Sequence, residues 1–219
     1  MTADSSTSDR SLPLRERKKL RTRRALADAA LRMFTERGFE ATTVEELVDA
    51  VEVSRSSFFR IFPAKEAAAI EAEAELWSAY LAALERRALS GLVLTELSDL
   101  LGEVVTGLGA DWADRYVATR RLVLTSPALL AYAAHYRAEV EQRIADRLAG
   151  KLALPAGDLR PQVLAEVTTT AWRLAARAWV HGGGQGGLPT LVERVARAFR
   201  AIPASLELSA PERPAGAEL

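Results

Sequence analysis

The segment VEVSRSSFFRIFPAKE, Val51 to Glu66, sets polar contact residues tightly among bulky apolar ones. Arg55, Ser56, Ser57 and Arg60 have the chemistry of groove contacts. Arginine bonds guanine bidentately, or a phosphate, and serine is short enough for a helix to approach the bases closely. Phe58 and Phe62 lie four residues apart, so on a helix they share the face opposite these polar groups. Pro63 biases Phe62 away from helical backbone and opens a new helix. Lys65 then stands at an amino end, where backbone N–H groups and a cation can meet one phosphate.

A second concentration of charge precedes this segment. Arg10 to Arg24 holds eight basic residues against the single acid Glu16, a local charge of 8 − 1 = +7 in a chain whose formal net charge is zero. Such a run is a nucleic-acid or membrane contact, or else a solvated helix start. Arg17, Lys18 and Lys19 are the candidates for an arm that neutralises phosphates or enters the minor groove.

These groups need elements to hold them. Ala27, Ala30, Leu31 and Phe34 fall at i, i+3, i+4 and i+7, one apolar stripe of a helix that begins near Leu14 and stops at Gly38. Thr43, followed three residues later by Glu46, fits a capping box for a short helix over Val44–Ala50. Val51, Glu52 and Val53 form the turn, and Ser54 caps a helix running to about Phe62. Two short helices joined by a three-residue turn, the second with Arg and Ser near its start, describe a helix-turn-helix. Ser54 joins the contact residues of the second helix, and Thr43 those of the first.

The rest of the 219 residues is rich in Ala, Leu, Glu and Arg at helical spacing. The pattern predicts helices over about Lys65–Leu89, Thr95–Gly107, Trp112–Thr125, Pro127–Gly150, Pro161–His181 and Pro189–Ala201. No alternating apolar run suggests a sheet. The fold class is therefore all-α, with expected divisions 1–13 (disordered tail), 14–63 (DNA-binding helix-turn-helix), 64–202 (helical bundle) and 203–219 (disordered tail). With no cysteine there is no disulfide or thiolate chemistry. No run of 18 apolar residues predicts a membrane span, and MTADSSTSDR lacks the apolar centre of a signal peptide, so a cytoplasmic protein is expected.

The stretch RERKKLRTRRALADAALRMFTERGFEATTVEELVDAVEVSRSSFFRIFPAKEA, about Arg15 to Ala67, resembles the amino-terminal domain of the TetR family of bacterial transcriptional regulators. The resemblance lies in the A…F…G…TTV frame, the VSRSSFFRIF recognition helix and the FPAKE start of the next helix. It departs from that pattern twice. Glu52 stands in the turn where the family usually has glycine. Phe59 stands where a phosphate-binding tyrosine is common, which leaves Phe59 to pack on the sugar–phosphate edge or a thymine methyl. The resemblance assigns ligand binding and dimerisation to the 64–202 bundle, and implies a homodimer on a palindromic operator, usually as a repressor. It also implies a four-helix dimer interface from the last two helices, for which Ala171, Ala175 and Ala178 with Val192, Val195 and Phe199 are the expected contacts.

The second part has few groups that suggest chemistry. Its two histidines, His135 and His181, have no metal-ligand spacing with Asp or Glu. HGGG at His181 resembles an oxyanion-hole segment, but no G-x-S-x-G elbow accompanies it. No catalytic set, metal site or cofactor is expected. Aromatic residues cluster instead. Trp112, Tyr116, Tyr132, His135, Tyr136 and Trp172 are the expected lining of an effector cavity, taking a mostly apolar molecule with one or two polar groups held by Tyr132, Tyr136 or His135. Two other classes stay open: an enzyme or carrier with an incidental helical head, and a DNA organiser whose carboxy-terminal part is solid. An enclosed space among the aromatics separates them.

Overall fold

Helix α1 (Leu14–Arg37) is built from good helix formers and ends where Gly38 adopts φ 93°, its N–H bonding Phe34 O at 3.0 Å. The structure, a computed structural model, describes residues 13–210. The expected tails therefore lie mostly outside the described residues, as does Arg10. Among the described residues every regular element is a helix: α1, then α2 (Val44–Ala50), α3 (Arg55–Ile61), α4 (Lys65–Ala69), α5 (Glu71–Arg86), α6 (Val93–Gly107), α7 (Ala110–Val123), α8 (Pro127–Lys151), α9 (Arg160–His181) and α10 (Gly187–Ser205).

The expected boundaries hold within a few residues, with two corrections. The single helix expected over Lys65–Leu89 is two, α4 and α5, broken at Ile70 (φ −101°, ψ 17°). The break has a packing reason. Ile70 is buried in the amino-terminal core, whereas Ala72 and Leu76 are buried in the carboxy-terminal one, so the chain turns as it passes between them. The tail expected from Pro203 also starts too early, because Pro203, Ala204 and Ser205 complete α10. Proline's fixed φ is already helical, and in the last turn its ring removes only one backbone bond, the one that an N–H at 203 would make to Phe199 O.

Two apolar clusters organise the molecule. The first joins Leu26, Ala30, Phe34, Leu47, Phe58 and Phe62 of the helix-turn-helix to Leu122, Val123, Leu129 and Ala133 at the α7–α8 corner. The second fills the α5–α10 bundle with Leu76, Trp77, Tyr80, Leu101, Trp112, Tyr116, Ile144, Trp172, Trp179, Val195 and Phe199. Tyr136 packs against both. The packing does not divide at residue 63: Ala68, Ala69 and Ile70 belong to the first cluster.

Four of the six expected dimer contacts need correcting on the same ground, whereas Ala178 stays exposed. Ala171, Ala175, Val195 and Phe199 are buried inside the protomer, α10 packing on α6 and α9. The face of α9 left exposed instead carries Val163, Thr170, Leu174 and Ala178, at i, i+7, i+11 and i+15, a single stripe.

Candidate nucleic-acid interface and effector cavity

The turn between α2 and α3 is closed by two backbone bonds, Val53 N–H to Val48 O at 3.0 Å and Glu52 N–H to Asp49 O at 3.2 Å. This is the paired pattern of a Schellman end, which requires a left-handed residue at its centre. Glu52 supplies it at φ 54°. The position does need positive φ, as the usual glycine implies. At the head of α2 the capping box forms in full: Glu46 N–H bonds the Thr43 hydroxyl at 3.2 Å, and Glu46 Oε2 accepts from Thr43 N–H at 2.8 Å. The Thr43 hydroxyl also donates to Glu46 at 3.0 Å, so that side chain is committed to the cap.

On α3, Phe58 is buried and packs against Phe62, while Ser54, Arg55, Ser56, Phe59 and Arg60 are exposed together on the outer face, with Ser57 half-buried. Ser54 caps the helix by accepting from Ser57 N–H at 3.2 Å. Arg60 donates to Ser57 Oγ at 3.2 Å. Arg55 lies over the Phe59 ring at 5.4 Å and pairs with Glu45 of α2 at 3.2 Å. Phe59, 43% exposed, stands edge-on to Phe58.

Lys65 is placed differently from its expected role. Its Nζ donates to Phe39 O at 2.9 Å and Thr42 O at 3.2 Å and sits 4.2 Å from the Phe39 ring centroid. It closes the α1–α2 loop from below. The cause is tertiary: two loop carbonyls, Phe39 O and Thr42 O, more than twenty residues earlier in the chain, converge on it. Lys18 and Lys19 are exposed on the first half of α1, and Arg17 is half-buried; no residue of α1 before Leu26 is buried.

Behind this unit, α7, α8, α9 and the start of α5 enclose a cavity of about 600 Å³. Its floor is buried and largely aromatic: Trp77, Tyr116, Trp172, Ala133 and Ala176, with Thr169 and Glu73. Trp172 Nε1–H donates to the Tyr116 hydroxyl at 3.1 Å. Burial pushes the Tyr116 pKa well up, so the hydroxyl keeps its proton. No acceptor for that proton is found among the described residues. Trp112 does not line the space; it stacks on Tyr116 at 4.9 Å and bonds Ala72 O through Nε1 at 2.8 Å.

Of the six expected lining residues, Tyr116 and Trp172 line the cavity and Trp112 supports them. The other three do not line it. His135 is exposed and pairs with Glu139 at 3.4 Å. Tyr132 packs on the amino-terminal cluster. Tyr136 bridges the two clusters, where burial pushes its pKa up to about 12. Alpha-helical geometry explains the split: Tyr132, His135 and Tyr136 follow one face of α8, and Ala133 and Arg137, one residue further on, follow with Ala134 the face that meets the space.

The rim was the part missed in the sequence. Arg120, Arg121, Arg137, Arg173 and Arg177 surround the opening, with Leu124, Leu130, Val180 and His181. A usable signal existed on α9, where Thr169, Trp172, Arg173, Ala176, Arg177 and Val180 recur at helical spacing beside an aromatic already singled out. Among the described residues no group of three or more His, Asp or Glu is placed to hold a metal ion, and no helix is long and apolar enough to cross a membrane.

Comparison with known proteins agrees with this geometry. The family model described as "Bacterial regulatory proteins, tetR family" matches residues 26–72, which span the second half of α1, all of α2, α3 and α4, and the first residues of α5. The model described as "MftR C-terminal domain" matches residues 109–206. The HTH-type transcriptional regulator TcmR of Streptomyces glaucescens is 37% identical over 173 residues, 76% of each chain. The Thermus thermophilus FadR structure, a TetR-family repressor in complex with lauroyl-CoA, covers 89% of this chain and 100% of its own with a TM-score of 0.50. At 22% identity that likeness speaks for the fold. With a helix-turn-helix, an all-helical body and a relative of this identity and coverage, the chain belongs to the TetR family of DNA-binding bacterial transcriptional regulators.

Proposed function

We propose that this protein is a repressor that holds a palindromic operator as a homodimer and releases it when a small molecule fills the cavity among α5, α7, α8 and α9. The observation that carries the reading is the position of that cavity. Ala133 is at once a wall of the cavity and a member of the helix-turn-helix core. A ligand that displaces α8 there acts directly on the packing that orients α3.

The first turn of α5 offers a second path. Glu73 faces the cavity and accepts from Arg120 at 3.0 Å. Two residues earlier, Glu71 accepts from Arg23 Nη2 at 2.6 Å, and Arg23 Nη1 donates to Ile61 O, on the last residue of the recognition helix, at 3.3 Å. A shift of this turn by a bound ligand is therefore delivered to α1 and α3 through short polar contacts. The two recognition helices of a dimer must sit about 34–36 Å apart to enter successive major grooves, so a change of a few Å in their spacing removes one half-site. A ligand does this only by favouring the mismatched state, and a differential of about 1–3 kcal/mol gives roughly 5- to 150-fold loss of operator affinity.

The test begins with selection of an operator from a random duplex pool by the full-length protein. Compounds that quench Trp77 and Trp172 fluorescence are then titrated against that operator. Cavity binders are expected to lower operator affinity within that range. A compound that occupies the cavity tightly and leaves operator affinity unchanged would separate the two sites and remove the mechanism.

A further inference from the structure

Resting on the reading of the cavity as an effector site, we propose that its effector is an anion: a molecule with an apolar body and a carboxylate or phosphate head. Five arginines and one carboxylate, Glu73, contribute to the cavity, a formal balance of 5 − 1 = +4. The whole chain has a net charge of zero, so the excess is a local concentration rather than general basicity.

The pairing of these arginines sharpens the point. Arg120 is answered by Glu73 at 3.0 Å, and Arg137 by Glu141 at 3.5 Å. Arg121, Arg173 and Arg177 are exposed and take part in none of the ion pairs among the described residues. Arg173 and Arg177 are four apart on α9, where like charges repel. Three guanidiniums around one opening gain most from an anion that bridges them, and the planar fork of arginine matches carboxylate and phosphate oxygens bidentately. The floor sets the other half of the ligand. Trp77, Tyr116 and Trp172 form its base, each no more than 2% exposed, so the ligand body meets a largely apolar floor. The cavity's volume of about 600 Å³ suits a ligand of drug-like size. This replaces the sequence-based expectation of an effector whose polar groups are held by Tyr132, Tyr136 or His135.

The experiment uses the full-length protein and body-matched probes. 1-Pyrenebutyrate and 1-pyrenebutanol share one ring system and differ in charge, and pyrene accepts energy from tryptophan, so binding is read directly without an operator. The butyrate is expected to bind at least about ten-fold tighter than the alcohol at low salt, with the gap narrowing as salt screens the rim. A pyrenebutyl phosphate arm distinguishes the two heads; tighter binding of either anion over the alcohol supports the proposal and names the head. The R121Q/R173Q/R177Q variant is expected to bind acid and alcohol alike. These residues are at the surface, and the R121K/R173K/R177K variant, which keeps the charge, is expected to retain the preference. Equal binding of acid and alcohol by the unaltered protein, or a preference that survives in the glutamine variant, overturns the anion assignment. In that case an alcohol that binds and still releases operator leaves the effector-site reading standing. Failure of all pyrene probes to receive energy from the tryptophans overturns the apolar-bodied anion, while the effector-site reading is still decided by titrating cavity binders against the selected operator.

Discussion

Arg23 and Glu71 tie the amino-terminal helix to the first turn of α5, with Nη2 2.6 Å from Oε2, Nε bonded to Oε1, and the Arg23 guanidinium 4.8 Å over the Phe62 ring. One ion pair thus touches α1, the end of the recognition helix and the bundle. Burial pushes the Glu71 carboxyl above its ordinary value, and the hydrogen bonds from Arg23 oppose that push. Breaking a fully buried pair costs roughly 3–5 kcal/mol. Arg23 is 37% exposed, so solvent screening reduces the expected loss for Arg23→Ala to about 2 kcal/mol. The sign of its pH dependence follows from Glu71. Without Arg23 the folded-state pKa rises further above the unfolded one, so the protonated carboxyl favours the fold below that value and the advantage is lost as pH rises through it. The deficit of Arg23→Ala, measured by thermal melts, should be larger at pH 8 than at pH 5. A deficit that grows on acidification would contradict this account.

Glu52 holds φ 54° with the Schellman bonds intact. Glycine adopts that backbone without the Cβ clash, so Glu52→Gly should stabilise the protein by about 1 kcal/mol, less the extra chain entropy that glycine brings to the unfolded state. Thermal or urea melts measure it. A destabilised glycine variant would mean that the Glu52 side chain contributes something beyond its backbone shape.

Arg55 is held by Glu45 at 3.2 Å in the absence of DNA. A guanine or phosphate contact must therefore displace a carboxylate of the protein itself. Arg55→Ala and Arg60→Ala should each weaken binding to a selected operator by about 1–3 kcal/mol if the contact is to a base. Glu45→Gln should leave that binding unchanged or tighten it, because the competing charge is gone. Gel shifts at matched salt decide it, and a Glu45→Gln variant as impaired as Arg55→Ala would put the DNA contact on Glu45's side of the pair. Lys65→Ala, by contrast, should act through stability rather than on DNA, since its ammonium is bonded to Phe39 O and Thr42 O.

The exposed stripe of α9, Val163, Thr170, Leu174 and Ala178, is the apolar face expected to meet its own copy about a two-fold axis. Leu174 is 44% exposed and Val163 56% in the protomer. Leu174→Arg would place two like charges against each other across such an axis and should shift the mass in solution, read by light scattering, from dimer to monomer at micromolar concentration. A dimer that persists unchanged puts the interface elsewhere.

Much of the fold was legible because its causes are local. The capping box at Thr43 and Glu46, the break at Gly38, the turn at Glu52 and the opposed faces of Phe58 and Arg55 all act within a few residues. Helical period and turn chemistry carry that information along the chain. The cavity could not be read in this way. Its walls come from four helices spread between Glu73 and His181, and which face of each meets the others is settled by packing. Tyr132 and Tyr136, singled out as aromatics, serve the cores, while their neighbours Ala133 and Arg137 meet the space. Lys65 gives the same lesson at a single residue: its position at an amino end suggested a phosphate, but the carbonyls of Phe39 and Thr42, more than twenty residues earlier, reach it first. An arginine on a cavity rim and one on a solvated surface look alike in sequence, because the difference lies in what stands opposite, and only the tertiary structure brings Arg121 of α7 round to Arg173 and Arg177 of α9.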